Sequence, residues 1–278
     1  MISNSVIAGI LIAITACFFI PFALLTWLLV FRRAKRIIYM LIFGIIARAV
    51  TIFAQSFVVF TFDNIKGYDN LPYILRLTIN DVIAGVLCIA LLCILFAFIK
   101  SEGLNFNRAF TIAVGFGSVE AVAGTGISYY IMLVNAFEIR TQGITDKFHE
   151  GQGAALFEKI TSQSFMSGIA VALTVTTSIL ACAMAAQLIL YGMVNNKEKL
   201  LACIAFAVMF ISKFGTDVAG HYAGDAVTVI FDIIYIVIVV YALLRILKME
   251  KSMVIKPRSM LLKEQAEREE KKVIRIES

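Results

Sequence analysis

An all-α polytopic membrane bundle of seven spans is the fold class this sequence predicts, and three observations predict it. The chain is 60% hydrophobic with a mean hydropathy of +0.90, whereas soluble domains are about 45–50% apolar. Its apolar residues come in long runs, such as Val82–Ile99, that lack the period-two alternation of barrel strands. Only helices and closed barrels cross lipid, so these runs are helices of ~20 residues or more. The third observation is Glu120, an acid in the middle of the apolar run Ala109–Val134. A carboxylate survives in hydrocarbon only with a partner, water, a metal or a proton, so it marks a polar site inside the bundle.

The first span runs Val6–Phe31 and is followed by Arg32, Arg33, Lys35 and Arg36. The second, Ile37–Phe62, carries Arg48, and residues 63–81 form a loop with Asp63, Asp69 and Asp81. After the third span, Val82–Ile99, Lys100 and Arg108 flank the connection to the fourth, Ala109–Val134. A second long loop, 135–164, carries Glu138, Asp146, His149, Glu150 and Glu158. The fifth span is Phe165–Met193, and Lys197 and Lys199 flank its connection to the sixth, Lys199–Val218, which includes Lys213. A short connection around Gly220 leads to the seventh, His221–Leu247. Residues 1–250 are thus the transmembrane domain. Residues 251–278 form a charged tail, in which Lys263, Glu267, Glu270 and Lys271 have helical spacing.

Short basic loops stay in the cytoplasm. All the basic segments, with Lys248, Lys251, Lys256 and Arg258 after the seventh span, fall on one side of this plan. The N-terminus is therefore expected outside and the C-terminus in the cytoplasm, in a plasma membrane of bacterial type. The net charge of +6 reads as topology and anionic-lipid contact, not nucleic-acid binding. The start lacks a basic n-region, which argues against a cleaved signal peptide. Cys17, Cys88, Cys93, Cys182 and Cys203 all lie in apolar runs without metal-site spacing and read as small buried hydrophobes.

Two constellations carry chemistry. Glu120 and Arg48 each lie eleven residues from the cytoplasmic end of their spans, roughly 17 Å in at the helical rise. An anion and a cation at one depth are expected to pair or to share a wet cavity. The second group is Lys213, Asp217, His221 and Asp225, with Asp232 deeper in the seventh span. His221 and Asp225 are four apart, one helical face if the helix has begun, and a histidine backed by a carboxylate serves as a metal ligand or general base. It also reads as an interfacial histidine with a hydrogen bond. Gly115, Gly117, Gly124 and Gly126 around Glu120, and Gly220 and Gly224 around His221, let helices approach closely. That approach would bring Glu120 and His221 into one pocket.

At these residues the chain resembles the YhfC family, grouped with glutamate-dependent intramembrane proteases and with the seven-helix, non-catalytic subunit of γ-secretase. The family's fourth span reads Gly-x-Gly-His-Gly-Gly-x-Glu, a later span begins Glu-Arg with a histidine eight residues on, and the last carries His-x-x-x-Asp or Asn. Glu120 takes the place of the motif glutamate, with Gly115 and Gly117 in the glycine frame. His221 and Asp225 fit the last motif, and Glu158-Lys159 stands where Glu-Arg is expected. Two histidines are missing: Phe116 or Ser118 stands at the first and Met166 at the second.

The resemblance implies an intramembrane protease acting on membrane-embedded or leader peptides. Its catalytic residues would be Glu120, His221 and Asp225, with zinc held by Glu120 and His221. Catalytic zinc takes three protein ligands, and His149 is the only other histidine. The missing ligands leave a second reading, a degenerate scaffold, chaperone-like or immunity subunit binding membrane partners. A third is a carrier in which Arg48, Glu120 and Asp232 relay protons or ions, although no inverted repeat is visible.

Overall fold

A computed structural model describes residues 2–30, 37–65, 68, 70–143, 151–257 and 260. It is a bundle of seven helices long and apolar enough to cross a membrane. In chain order these are α1 (Asn4–Val30), α2 (Ile37–Asp63) and α3 (Tyr73–Ile99), then a composite fourth span. That span consists of α4 (Phe106–Val119), a π-helical segment (Glu120–Gly126) and α5 (Ile127–Gln142). A short helix, α6 (Gly151–Thr161), precedes α7 (Phe165–Asn195), α8 (Glu198–Ala223) and α9 (Asp225–Lys248). Two short strands, β1 (Leu104–Asn105) and β2 (Val254–Ile255), pair antiparallel and tie the start of the tail to the connection before α4. The remaining tail, the basic stretch 31–36, Asp69, Asp146, His149 and Glu150 lie outside the described residues.

α7 is the central helix. It packs against α1, α4, α8 and α9, and its stretch Ala181–Leu190 is buried throughout. Four alanines and Cys182 in that stretch keep it thin, so neighbours close in from several sides. The outer faces of α2, α3 and α9 are the reverse: Phe53, Phe98 and Val237 stand exposed, as expected of a multi-pass membrane protein.

Three boundaries differ from the sequence reading, and each moves a charged residue. α3 begins at Tyr73, so Asp81 is not in a loop; it lies inside the span and is buried. The hydropathy pattern misses this turn because Arg76, Asn80 and Asp81 dilute it. α8 continues to Ala223 and breaks at Gly224, whose φ of +78° is the left-handed region that favours glycine. The break is therefore not at Gly220, and His221 ends the sixth span while Asp225 opens the seventh. The expected common helical face of His221 and Asp225 does not exist. The third is α5, which extends the fourth span to Gln142, well into the expected loop.

Candidate functional site

The site begins with a close helix crossing. α2 packs along α4, and a Cβ at Gly44 would collide with the carbonyl of Ile112, one at Gly115 with the carbonyl of Leu41. Only glycine permits this approach. Arg48 follows Gly44 by one turn and Glu120 follows Gly115 by little more, so the two arrive opposite each other. Arg48 Nη2 and Glu120 Oε2 form an ion pair and hydrogen bond, as the matched depths lead one to expect. Arg48 also donates through Nη1 to Cys88 Sγ at 2.9 Å, and its guanidinium lies 5.3 Å from the Phe116 ring centroid. Cys88 is thus a partner of the cation rather than a plain hydrophobe. The pair is lopsided: the Arg48 side chain is 7% exposed and that of Glu120 is 42%.

Glu120 is also where the backbone changes. The seven residues Glu120–Gly126 are π-helical, a geometry that is rare and concentrated at functional sites. Below it α4 rests on α2; above it the π segment and α5 rest on α1. A groove of about 660 Å³ lies beside this bend, lined by Gln55, Ser56 and Phe60 of α2, by Glu120 and Gly124, and by Lys213.

Inward from Glu120 lies a partly enclosed cavity of about 110 Å³. Arg48, Glu120, Asp81, Lys213 and Asp217 all line it, with Thr174, Ser178, Ser212 and Thr216. Lys213 Nζ is 3.7 Å from Asp81 Oδ1. Asp81 Oδ2 and Arg48 Nε are buried and have no hydrogen-bond partner among the described residues. Asp217 makes no ion pair or hydrogen bond among the described residues. Toward the end of the bundle where the basic residues Lys100, Arg108 and Lys197 stand, fully buried Leu92, Phe96, Ile112 and Phe116 fill the interior.

A third pocket, of about 500 Å³, opens at the other end, where α1 starts. His221, Asp225, Tyr73, Tyr129, Gln163 and Ser167 line it. His221 is exposed and stacks on Tyr73 with ring centroids 3.9 Å apart. Asp225 accepts a 2.6 Å hydrogen bond from Ser167 Oγ. Thr174, Thr216 and Asp217 line both this pocket and the charged cavity. Glu120 and His221 therefore line separate, adjoining pockets, not the one pocket expected of them. Asp232 is fully buried between α7 and α8, bonded to Thr174 and Thr216.

These donors do not suit zinc. Among the described residues no three His, Cys, Asp or Glu side chains come together in a way that could hold a metal ion, and Glu120 is already engaged by Arg48. The sequence pointed to Glu120, Arg48 and Lys213 but missed the parts of Asp81, Cys88, Thr174 and Thr216. A signal was present: Asp81, Ala84, Gly85 and Cys88 form an i, i+3, i+4, i+7 stripe, and Met209, Ser212, Lys213, Thr216 and Asp217 on α8 extend the same pattern to i+8. No protein-family model matches this chain, and no curated protein or solved structure matches it.

Proposed function

We propose that this protein binds a proton within the membrane, or a small monovalent cation held by one carboxylate with hydroxyls and water rather than by a cluster of three acids, and carries it, here in a state open toward its amino-terminal end. One observation carries the reading: the partly enclosed cavity is lined by two cationic side chains, Arg48 and Lys213, against three carboxylates, Glu120, Asp81 and Asp217. With all of them ionised, one negative charge is left over. Excess charge in a low-dielectric interior is costly and is relieved by a counter-ion or a proton. The orphaned Asp81 Oδ2 is an acceptor waiting for one. Burying ion pairs is also a poor way to stabilise a bundle, so such a cluster is a functional-site hypothesis by default.

Size supports a small solute. Pockets for drug-sized molecules run about 300–1,000 Å³, and the charged cavity has about 110 Å³. Access supports opening toward the amino-terminal end, because the cavity adjoins the amino-terminal pocket across Thr174, Thr216 and Asp217 while aromatic and aliphatic side chains fill the opposite direction. No repeat is legible in the sequence, so the carrier reading rests on the site, not on fold symmetry. With the basic loops placed in the cytoplasm, the open end faces outward across a bacterial-type plasma membrane.

The test is thermal unfolding of the detergent-solubilised chain across a Na⁺, K⁺ and pH series. Occupancy at a hundred times Kd stabilises by about 2.7 kcal/mol. The expected result is a melting temperature that rises with one cation or with proton activity, and loses that dependence in Asp217→Asn. A melting temperature indifferent to all of them contradicts the proposal.

A second reading, the intramembrane protease implied by the YhfC resemblance, is favoured by one different observation. The Glu120 carboxylate is 42% exposed beside a groove of about 660 Å³, and that volume falls in the range of ligand pockets. There Glu120 would activate water and Arg48 would stabilise the oxyanion. Cleavage of a membrane-embedded peptide by the wild type and not by Glu120→Gln would establish it.

A further inference from the structure

Asp232 is a second buried acid, outside the charged cavity and without a cation. Its side chain is fully buried, and no ion pair reaches it among the described residues. Its contacts are hydroxyls. Thr174 Oγ1 lies 2.9 Å from Oδ2, Thr216 Oγ1 lies 3.0 Å from Oδ1, and the buried hydroxyl of Thr177 sits beside them, with no partner at hydrogen-bond geometry among the described residues. Lys213 and Asp217 on α8 face the adjoining cavity, and Asp225 on its own helix faces the outer pocket. α7 offers only Thr174 and Thr177.

A fully buried carboxyl group among hydroxyls, with no cation paired to it among the described residues, is more stable neutral than ionised. A hydroxyl has one proton to donate. Thr216 Oγ1 lies 2.8 Å from the carbonyl oxygen of Ser212 as well as 3.0 Å from Asp232 Oδ1. If Thr216 donates to the carbonyl, the usual bond of a helical threonine to the residue four before it, its oxygen can only accept from Asp232. We infer that Asp232 is a proton-binding site, holding a neutral carboxylic acid that donates from Oδ1 to Thr216 while Thr174 donates to Oδ2. The arrangement then gives both carboxyl oxygens a hydrogen bond without a buried net charge. An ionised Asp232 would place a full negative charge in the bundle interior with hydroxyl contacts and, among the described residues, no cation paired to it.

The same contacts give the proton a way out. Thr174 and Thr216 line the charged cavity and the outer pocket. On release the Oδ1–H bond breaks and the proton passes to a cavity water or to the Asp217 carboxylate. The Thr216 hydroxyl then turns from the Ser212 carbonyl to the carboxylate, which is left with two donors. This inference concerns Asp232 alone and stands whether or not the cavity carries ions.

Infrared spectroscopy of the full chain in lipid at neutral pH tests it. Wild type is expected to show a carbonyl band of a protonated carboxylic acid that disappears in Asp232→Asn. Thr216→Val, which removes the acceptor and keeps the shape, should shift that band. The amide of Asp232→Asn reproduces one donor and one acceptor, so this variant should melt close to wild type. An unchanged acid band in Asp232→Asn, or loss of a carboxylate band in its place, overturns the inference. So does a large fall in melting temperature for the same variant.

Discussion

Arg48 and Glu120 depend on each other unequally. The arginine is sealed between Cys88, Phe116 and the carboxylate, whereas the glutamate looks into a groove. Removing the acid strands a buried guanidinium; removing the base leaves an acid that can still find water. Glu120→Ala should therefore cost about 3 kcal/mol, the lower end for a broken buried pair. Arg48→Met should cost about 1 kcal/mol, as for a partly solvated one. Chemical denaturation of both variants checks the order, and equal losses would mean that both groups are equally dry. Residues also mark where sequence reasoning stopped. The Arg48–Glu120 pair was legible, because two charges at equal depth in apolar runs have few other solutions. Asp81 was not, because it sits at the edge of its hydropathy window beside Asn80 and reads as a loop. Thr174 and Thr216 were illegible for another reason: threonine in a span normally satisfies itself on its own helix, so nothing local announces that one faces a buried acid.

At the scale of elements, the α2–α4 crossing and the π-helical bend do opposite things to the same pair. The crossing at Gly44 and Gly115 presses Arg48 onto Glu120, and the bend beginning at Glu120 carries α5 toward α1. Gly44→Ala should destabilise by about 1–3 kcal/mol, the usual cost of overpacking. Gly124→Ala should be tolerated, since its added methyl would meet only the Glu120 side chain at 4.0 Å. Denaturant midpoints of the two variants check this, and a benign Gly44→Ala would show that the crossing has slack. The seven helices were legible from apolar runs alone, but their ends were not. A helix end written in polar residues, as at Tyr73–Asp81, or one running four residues past an earlier glycine to stop at Gly224, carries no hydropathy signal. That four-residue error at Gly224 placed His221 on the wrong helix and created a His221–Asp225 face that the backbone does not have.

For the whole molecule, the described residues hold seven helices long and apolar enough to cross a membrane, and seven crossings would put the two ends on opposite sides. The direction we propose, amino-terminal end outside, follows from the basic loops. In a chain with its five native cysteines replaced, Ser3→Cys should react with an impermeant thiol reagent on intact cells. Ser252→Cys should react only after permeabilisation. Equal labelling of both would remove one span from the count, and the reverse pattern would turn the open pocket toward the cytoplasm. The interior is organised along the same axis, from an exposed polar pocket, through a charged cavity, to a dry apolar floor. Ion flux into proteoliposomes of the full chain, driven in turn by a pH, Na⁺ or K⁺ gradient, tests that organisation most directly. Wild type should pass protons or one of the cations, and Asp81→Asn should pass it at least about tenfold more slowly, the worth of one charged hydrogen-bonding group. Folded wild-type protein that passes none of the three, or Asp81→Asn that passes the ion at the wild-type rate, would contradict the account.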